Sequence, residues 1–581
     1  MKRAAFVFGL LMLAVGGASA HPQAQSGRTI VDRNHDNRLE YGVAEPSRLR
    51  IDLAQRGSGG TPTRLLHFAQ MTDTQLVDEE SPARVEFVDR IGPPYESAYR
   101  PQEGLLPMVL AEEVRAVRAQ RPELVMVTGD NTDNTQRNET RWFIDILDGG
   151  VVEADSGAPR RCLSLRGRFK NVRGGGRYYE PDRSTGQDGP GYSPSARTNQ
   201  RTVKRSNAAR DYPGIFEEMN RPFRSPGLGA PWYAVIGNHD ALVQGNLPRI
   251  AFFDQVAVGC VKVTDLSRRA WSQIEPLLAG GITEEEGARI VETIYGDFLA
   301  TISNPKSKRG LWKWIAGDRD RTLLTKQIFM GEHGNTRGTP KLHGFTPENI
   351  RTGEGSYSFS PKAGLRFVVL DSVAASGPDG NLDHAQFVWL HEQLLAAGTA
   401  HELVLVFAHH ALASMHQSQG NVHYGLTGSC PSTSPLDPPV ADETVRCLLS
   451  RHRSVIGLVA GHSHRNRITP YPRTGGGGFW EIVTSSHADW PQQSRIIDLY
   501  DNRDGTLSIT TRVIEHTAPP RPGKRVRSRG RLAPREVTRL ASIARELSFN
   551  DPHAENGEDG FPDRRGTPLD RNVELLLRNP Y

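Results

Sequence analysis

The segment Trp232-Tyr233-Ala234-Val235-Ile236-Gly237-Asn238-His239-Asp240 is the most informative part of the chain. Its five apolar residues predict a short buried β-strand. Gly237 then allows the backbone to turn, and the three polar side chains that follow suit a binding site better than a packed core. The segment therefore predicts a strand that ends at a site.

Four other largely apolar runs end in the same way, with polar or charged side chains directly after a predicted strand. The strands and the side chains that follow them are Leu65–Met71 with Asp73 and Gln75, Leu124–Val127 with Asp130 and Asp133, Leu403–Phe407 with His409 and His410, and Val455–Val459 with His462 and His464. Because ligands in open α/β sheets bind beyond the carboxyl ends of the strands, we expect these side chains to converge at one edge.

Helices are predicted between several of these strands. The segment from Pro107 to Ala119 begins with a proline, which suits the first helical position, and it places apolar residues on one face. A second amphipathic helix is predicted from Asp383 to Leu395. Three apolar segments after residue 479 lie too close together for intervening helices and predict antiparallel hairpins. This succession of elements predicts an α/β fold with parallel strands.

The composition is ordinary for a soluble protein. The 581 residues carry a formal net charge of +5, and this mild excess does not by itself indicate a nucleic-acid-binding protein. Residues 1–20 combine a basic start, a short apolar run and the small residues Ala18-Ser19-Ala20, which predicts a secretory signal peptide cleaved after Ala20. No later segment has the length and apolar character of a membrane span, so none is expected in the mature chain.

Long segments interrupt the strand and helix pattern. One is rich in Gly, Arg, Ser and Pro and predicts little regular structure, whereas the other predicts a helix near Glu284 to Ile302. The predicted organisation is a signal peptide 1–20, an extended lead-in 21–60, an α/β domain 61–515 with insertions at about 150–230 and 241–364, and a Pro- and Arg-rich tail 516–581 with a short helix.

The four cysteines predict structural disulfides, because export places them in an oxidising compartment. Cys430 and Cys447 lie close enough in sequence to close a loop, which would leave Cys162 and Cys260 as a second pair. The spacing matches neither a CxxC motif nor a zinc ribbon.

The residue types at the strand ends indicate a metal site. Carboxylate and amide oxygens mixed with imidazoles suit zinc, iron or manganese better than calcium. One aspartate that bridges two ions can hold them about 3.5–4 Å apart, which is the geometry of two-metal phosphatases and nucleases. The sequence therefore predicts a dinuclear metal centre.

The ordered set of strand-end clusters resembles the calcineurin-like metallophosphoesterase superfamily. The family motifs are Asp-x-His, Gly-Asp-x-x-Asp, Gly-Asn-His-Asp/Glu, a His after a strand, and Gly-His-x-His. Their counterparts here are Asp73-x-Gln75, Gly129-Asp130-x-x-Asp133, Gly237-Asn238-His239-Asp240, His409 and Gly461-His462-x-His464. The long lead-in and Gln75 resemble a secreted bacterial subgroup. The resemblance covers roughly residues 64–515 without the insertions, and it implies a layered β-sheet sandwich flanked by helices.

The resemblance also implies two divalent metal ions, which would be Mn, Fe or Zn. The expected ligands are Asp73, Asp130 and His464 with Gln75 for the first ion, and Asp130, Asn238, His409 and His462 for the second. Gln75 stands where the family usually has histidine. Because an amide oxygen is a weaker donor than imidazole, this departure implies a weaker first site or a changed metal preference.

Further roles follow from the same resemblance. His239 would lie beside the metals and act as a charge stabiliser or general acid on the leaving oxygen. His409 is preferred over its neighbour His410 as the ligand. Asp133, Asp240 and His410 are supporting or alternative candidates.

The expected function is hydrolysis of a small phosphomonoester or phosphodiester outside the cytoplasm. Two alternatives stay open at this point. A nuclease of the same architecture would need a groove lined with Lys, Arg and aromatic residues, so a nucleic-acid partner is not favoured. A non-catalytic binding protein with a decayed metal site has its only support in Gln75.

Overall fold

The structure is a computed structural model that describes most of the chain from residue 28 to residue 581. The residues it leaves out in that span are 92–95, 158–160, 164–168, 172–211, 213, 279–283, 306–307, 309, 417–420, 433, 527, 552–553, 556 and 558–561. The predicted signal peptide 1–20 and much of the first predicted insertion therefore lie outside the described residues.

The described strands are numbered in chain order. They are β1 Arg28–Val31, β2 Glu40–Ala44, β3 Arg48–Arg50, β4 Thr63–Met71, β5 Leu124–Val127, β6 Gly150–Val152, β7 Arg161–Leu163, β8 Phe169–Asn171, β9 Phe223–Ser225, β10 Trp232–Ala234, β11 Val261–Val263, β12 Trp312–Trp314, β13 Tyr357–Phe359, β14 Leu365–Val369, β15 Leu382–Asp383, β16 Leu403–Phe407, β17 Val422–His423, β18 Val455–Ala460, β19 Arg467–Pro472, β20 Gly478–Val483, β21 Gln493–Asp501, β22 Thr506–Glu515 and β23 Val573–Arg578.

The described α-helices are numbered in the same way. They are α1 Leu106–Gln120, α2 Arg137–Asp148, α3 Ile215–Met219, α4 Asn238–Ala241, α5 Ala251–Ala257, α6 Arg268–Ile274, α7 Glu284–Ser303, α8 Lys326–Glu332, α9 Pro347–Thr352, α10 His384–Thr399, α11 Val445–Arg451 and α12 Pro534–Phe549. Short 3-10 helices include Glu86–Ile91 and Glu96–Ala98, which precede α1.

The first sheet has seven strands in the order β10-β5-β4-β21-β22-β23-β3. Strands β10, β5 and β4 run parallel, so their carboxyl ends share one edge. Strands β4, β21, β22 and β23 are joined antiparallel. The hairpin of β21 and β22 confirms the prediction for the last two apolar segments after residue 479, whereas the first of the three, β20, lies in the other sheet, parallel to β18, so a hairpin between β20 and β21 was wrong.

The second sheet has six strands in the order β13-β14-β16-β18-β20-β19. The four central strands are parallel, and the two edge strands are antiparallel to their neighbours. Every residue of β16 and β18 is buried. Strands covered on both faces need apolar side chains on both, which explains why they are continuous apolar runs in the sequence.

The two sheets pack face to face through one large apolar core. Phe68 of β4 makes edge-to-face ring contacts with Phe367 of β14 at 5.5 Å and with Phe407 of β16 at 6.1 Å. Helix α1 packs on the first sheet and α12 packs on α1, while α10 and α11 cover the outer face of the second sheet. The predicted α/β sandwich, with layered sheets flanked by helices, is confirmed.

The second predicted insertion contributes a smaller apolar core of its own. Helices α5, α6 and α7 pack there against the segment that precedes α1, and Phe87, Phe253, Ile290 and Phe298 are buried in it. We call residues 83–99 and 243–303, within the described ranges, the cap. Helix α7 confirms the predicted helix near Glu284 to Ile302.

The structure differs from the predicted organisation at both ends. The predicted tail contains the predicted helix, α12, which packs on α1, but it also contains β23, which is a strand of the first sheet. The predicted lead-in contains β3, which pairs with β23. The sequence analysis missed β23, a short strand in which Val573 and the run Leu575–Leu577 are buried.

Cys430 and Cys447 form the predicted disulfide, with their Cα atoms 5.2 Å apart. Cys260 is also disulfide-bonded. The side chain of Cys162, its predicted partner, lies outside the described residues. Within the part of the chain that the structure describes, none of the helices combines the length and the apolar character needed to cross a membrane.

Candidate metal centre

The predicted strand-end side chains converge on one edge of the sandwich. Their turns hold the backbone in the left-handed region, with φ of 51° at Asp73 and at Asp130, 67° at His462 and 53° at His464. Non-glycine residues rarely adopt this conformation, and it concentrates at functional sites where surrounding contacts maintain it. The first and second turns are joined by hydrogen bonds from Asp73 N to Gly129 O and from Gln75 N to Asp130 O.

One group of ligand atoms is formed by Asp73, Asp130 and His464. One ligand atom from each lies within 4.8 Å of the others, and all three residues are buried. His464 Nε2 lies 3.3 Å from Asp73 Oδ1. The carboxylate of Asp73 also accepts hydrogen bonds from His462 N and from Thr72 Oγ1. These are the three residues expected around the first ion.

A second group lies on the other side of Asp130. Its histidines are His409, His410 and His462, again with ligand atoms within 4.8 Å of one another. His409 Nε2 lies 3.2 Å from Asp130 Oδ2 and 3.0 Å from Asn238 Oδ1. Asp130 therefore belongs to the first group and touches the second, as a bridging ligand would.

The electrostatics of this edge favour a cation. Burial lowers the pKa of His409, but the charge and hydrogen bond of Asp130 outweigh it and raise that pKa to about 9. Burial raises the pKa of Asp130, yet the neighbouring His409 and His239 bring it well below its ordinary value. The carboxylates thus create a negative potential that favours a proton on His409, whereas burial and the charges of His410 and His409 lower the pKa of His462 well below its ordinary value.

Gln75 supplies an observation that fits a metal ion. Its Nε2 donates to Asp130 Oδ2 at 3.3 Å, whereas its buried Oε1 has no hydrogen-bond partner among the described residues. A buried polar atom without a partner costs about 1–3 kcal/mol. An amide oxygen, two carboxylates and an imidazole form a donor set that a divalent ion would satisfy.

His239 lies beside these groups, partly exposed to a cavity. Its N–H donates to Asp130 Oδ1 at 2.9 Å, and its Nδ1 is 2.9 Å from Asp133 O and 3.4 Å from Asp133 Oδ1. Burial lowers the pKa of His239, but the charge of Asp130 and the hydrogen bond to Asp133 raise it to about 9. These contacts favour the protonated imidazole, and Nε2 lies 4.0 Å from Asp130 Oδ2.

Asp133 and Asp240, two of the supporting candidates, make different hydrogen bonds. Asp133 orients His239 and accepts a hydrogen bond from Arg84 Nε at 3.1 Å. Asp240 accepts from the backbone N–H groups of Asn131, Thr132 and Gly237, so it joins two motif turns. These bonds occupy both Asp240 oxygens, which argues for a positioning role.

His410 makes hydrogen bonds away from Asp130. Its Nδ1 lies 2.9 Å from Ser372 Oγ, and its Nε2 lies 2.9 Å from Pro378 O. Burial, together with the charge of His409, lowers its pKa to about 3. With both ring nitrogens engaged elsewhere, the geometry supports His409 as the ligand and His410 as its neighbour.

Sequence reasoning missed Asp489, which orients His464. Asp489 Oδ2 lies 2.6 Å from His464 Nδ1 and also pairs with Arg564, while Asp489 Oδ1 pairs with Arg100 Nε at 2.7 Å. A carboxylate behind a ligating histidine fixes the tautomer and raises the basicity of the other nitrogen. Asp489, Arg564 and Arg100 lie in three distant segments, and none of these segments carries a recognised motif. No local sequence pattern therefore predicted their role.

The centre opens into a cavity of about 500 Å³. Gln75, Asp130, His239 and His464 line its base, and residues of the cap line its walls. A cavity of this size is in the range of small-molecule sites.

Comparison with known proteins gives no close relative. No family model matches the chain, and no curated protein matches it. Among solved structures, the chain is similar to a dimetal phosphatase from Danio rerio, with 13% identity over 78% of this chain and 100% of that one and a TM-score of 0.32. It is also similar to a purple acid phosphatase from yellow lupin (Lupinus luteus) seeds, with 9% identity over 82% of this chain and 55% of that one and a TM-score of 0.28. Likenesses this weak do not establish a shared family or activity.

Proposed function

We propose that this chain is a dinuclear-metal hydrolase of phosphomonoesters or phosphodiesters. The observation that carries the proposal is the position of Asp130 between two groups of ligand atoms. Asp73, Gln75, Asp130 and His464 would hold one ion, and Asp130, Asn238, His409 and His462 would hold the other. The ordered motifs support the same assignment, and Mn, Fe and Zn are the ions that suit these donors.

Divalent ions bound at these groups would supply Lewis acidity for the phosphate oxygens and an activated water as the nucleophile. The protein's own contribution begins with His239. Asp133 holds Nδ1, so Nε2 presents its proton to the leaving oxygen as the phosphorus–oxygen bond breaks. Asp489 holds His464, and the Asp240 hydrogen bonds keep the Asp130 and Gly237 turns together.

The cavity walls support a small phosphoester over a nucleic acid. A nuclease groove needs a track of basic residues with aromatic side chains for stacking. Among the described residues, the arginines that line this cavity are Arg100 and Arg564; both are paired with Asp489, and the lining on the cap side is mostly apolar.

The proposal extends to a location outside the cytoplasm. The signal-peptide pattern of residues 1–20 supports it, as does the disulfide between Cys430 and Cys447, because such bonds persist in oxidising compartments.

Substitution of the shared ligand tests the function. Asp130→Asn keeps the size of the side chain but removes the charge that both groups use, so bound metal and phosphoester hydrolysis should both be lost. The experiment measures metal per chain by elemental analysis and hydrolysis of 4-nitrophenyl phosphate and bis(4-nitrophenyl) phosphate with added manganese, zinc or iron. Asp498→Asn, in β21 and paired with His67, is the matched control. Full activity in the Asp130 variant would refute the proposal.

A further inference from the structure

The cavity beside the metal centre has two chemically different parts. At its base lie charged and polar groups of the strand-end motifs. The side toward the cap is apolar, with the lining residues Val85, Leu247, Phe253, Val291, Ile294, Tyr295 and Phe298. Phe253, Ile294 and Phe298 are buried in the cap core, whereas Val85, Leu247, Val291 and Tyr295 are only partly buried.

The apolar wall is attached directly to the metal centre. Asn238 Nδ2 donates to Gly245 O at 3.0 Å, and this carbonyl lies in the tight loop closed by hydrogen bonds between Val243 and Leu247. Gly245 has φ of +69°, and a side chain there would collide with the His239 ring. The loop therefore lies against His239 and carries Leu247, which lines the same cavity.

A second connection joins the loop to the other wall. Gln244 Oε1 accepts a hydrogen bond from Val85 N at 2.8 Å, and Gln244 N donates to Asn134 Oδ1 at 3.0 Å. The apolar residues before α1 and those of the second insertion are thus held together at a defined position relative to the Asp130 turn.

Partly exposed apolar side chains that face a charged centre are unfavourable unless a ligand covers them. The side on which they lie is also the side of His239, the proposed proton donor to the leaving oxygen. A phosphate at the base of the cavity would therefore direct its ester-linked alcohol along the apolar wall.

We infer that the substrate is a phosphoester of a hydrophobic alcohol, either aliphatic or aromatic, whose apolar group occupies the space between Leu247, Val291 and Tyr295. This inference rests on the proposed function and names its substrate class. In the reaction a water oxygen bonds to phosphorus and gives up a proton to solvent, the ester phosphorus–oxygen bond breaks, and the leaving oxygen takes the proton from His239 and departs as the alcohol.

The experiment uses the full-length protein and two substrate series. One is the n-alkyl series from ethyl to hexyl phosphate, in which the leaving alcohols have nearly the same basicity. The other compares phenyl with 2-naphthyl phosphate. If the reference assay shows a diesterase, the corresponding methyl diesters replace them.

Burial of each added methylene should raise kcat/KM about fourfold until the cavity is filled. A rise in kcat/KM confined to the alkyl series would identify an aliphatic alcohol. A rise in kcat/KM confined to the naphthyl ester would identify an aromatic alcohol. Either result supports the inference.

Variants of the wall provide an independent readout. Val291 and Tyr295 are partly exposed. Val291→Ser and Tyr295→Ser should each lower kcat/KM for the preferred long or large ester about tenfold, while kcat/KM for the ethyl ester should stay within about twofold of the wild-type value. Ile302→Ser is the matched control, because Ile302 lies on the same helix and packs against the cap core without lining the cavity. The Ile302 variant should leave kcat/KM unchanged for both the preferred ester and the ethyl ester.

The experiment distinguishes failure of the substrate inference from failure of the proposed function. Hydrolysis of the nitrophenyl reference esters combined with flat alkyl and aryl series would overturn the inference and leave the proposed function standing. Wall variants that affect ethyl and hexyl esters equally would also overturn it. If no reference ester is hydrolysed with any of the three metals, the proposed function fails and the inference fails with it.

Discussion

At the scale of single residues, the centre is organised by buried carboxylates whose charge the neighbouring groups compensate. Asp130 receives hydrogen bonds from His239 N and Gln75 Nε2 and lies next to His409. An isolated buried carboxylate would be very unfavourable, so its surroundings must supply positive charge. Protonated imidazoles provide it in the metal-free protein, and bound cations would replace those protons.

His239 should matter for turnover and not for metal content. We expect His239→Ala to lower kcat on an ethyl ester by about 10²-fold or more, because it removes the proton donor to the basic leaving alkoxide, and to affect 4-nitrophenyl esters less, because nitrophenolate leaves without a proton. Elemental analysis should find the wild-type amount of metal. Unchanged turnover would exclude His239 from the chemistry, and loss of metal would show that it acts on the ligands.

Gln75 should limit the affinity of the first metal site. In Gln75→His, an imidazole replaces the amide whose Oε1 lacks a partner among the described residues, so the first ion should bind more tightly. Titration of the metal-free variant by calorimetry should show a lower Kd for one of two sites. A Gln75→Leu variant should change affinity in the opposite direction. Equal Kd values in all three proteins would mean that residue 75 is not a ligand.

At the scale of elements, the motif turns work because glycines let them pack against each other. A side chain at Gly237 would collide with the Asp130 backbone and carboxylate, and one at Gly461 would collide with Thr72 Oγ1 and approach Asp73 Oδ2. Each strand end thus holds the neighbouring ligand in place. The glycines of the motifs are needed for this close approach as much as for the turns themselves.

Gly461→Ala should therefore disturb a ligand that it does not replace. The added methyl group would displace Asp73, and we expect lower metal content and activity together with a loss of about 1–3 kcal/mol in unfolding free energy. Gly398→Ala in α10 is the control, because, apart from its chain neighbours and the backbone of its own helix, no described atom lies within 4 Å of the new methyl group. A Gly461 variant that keeps full metal content would show that the turn adapts.

At the scale of the whole molecule, two sheets and a cap bring together segments from nearly the entire chain, and several histidine pairs are buried along the way. His391 Nδ1 lies 3.1 Å from His452 Nε2, and His333 Nδ1 lies 2.9 Å from His343 Nδ1. Burial lowers the pKa of His452 to about 3, with the charges of His391 and Arg451 adding to the effect.

This pair makes a testable contribution to acid sensitivity. The folded-state pKa of His452 lies below the ordinary value of 6.5, so its contribution to stability is present above pH 6.5 and is lost as pH falls toward 3. Between pH 7 and 5, the wild type should lose about 2 kcal/mol more unfolding free energy than His452→Gln. Urea unfolding at several pH values measures the difference, with the exposed His401→Gln as control. Parallel pH curves for wild type and the His452 variant would contradict it.

The sequence by itself determined the elements of the sandwich and the composition of the centre. Strands buried on both faces leave continuous apolar runs, and ligands at their ends are local in sequence, as with Asp130 after β5 and His462 after β18. Only the tertiary structure decided that Asp489 supports His464, that β23 completes the first sheet and that the cap forms an apolar wall beside His239. These features depend on contacts between distant segments, and such contacts leave no periodic or local pattern, because either partner alone resembles an ordinary surface or core residue.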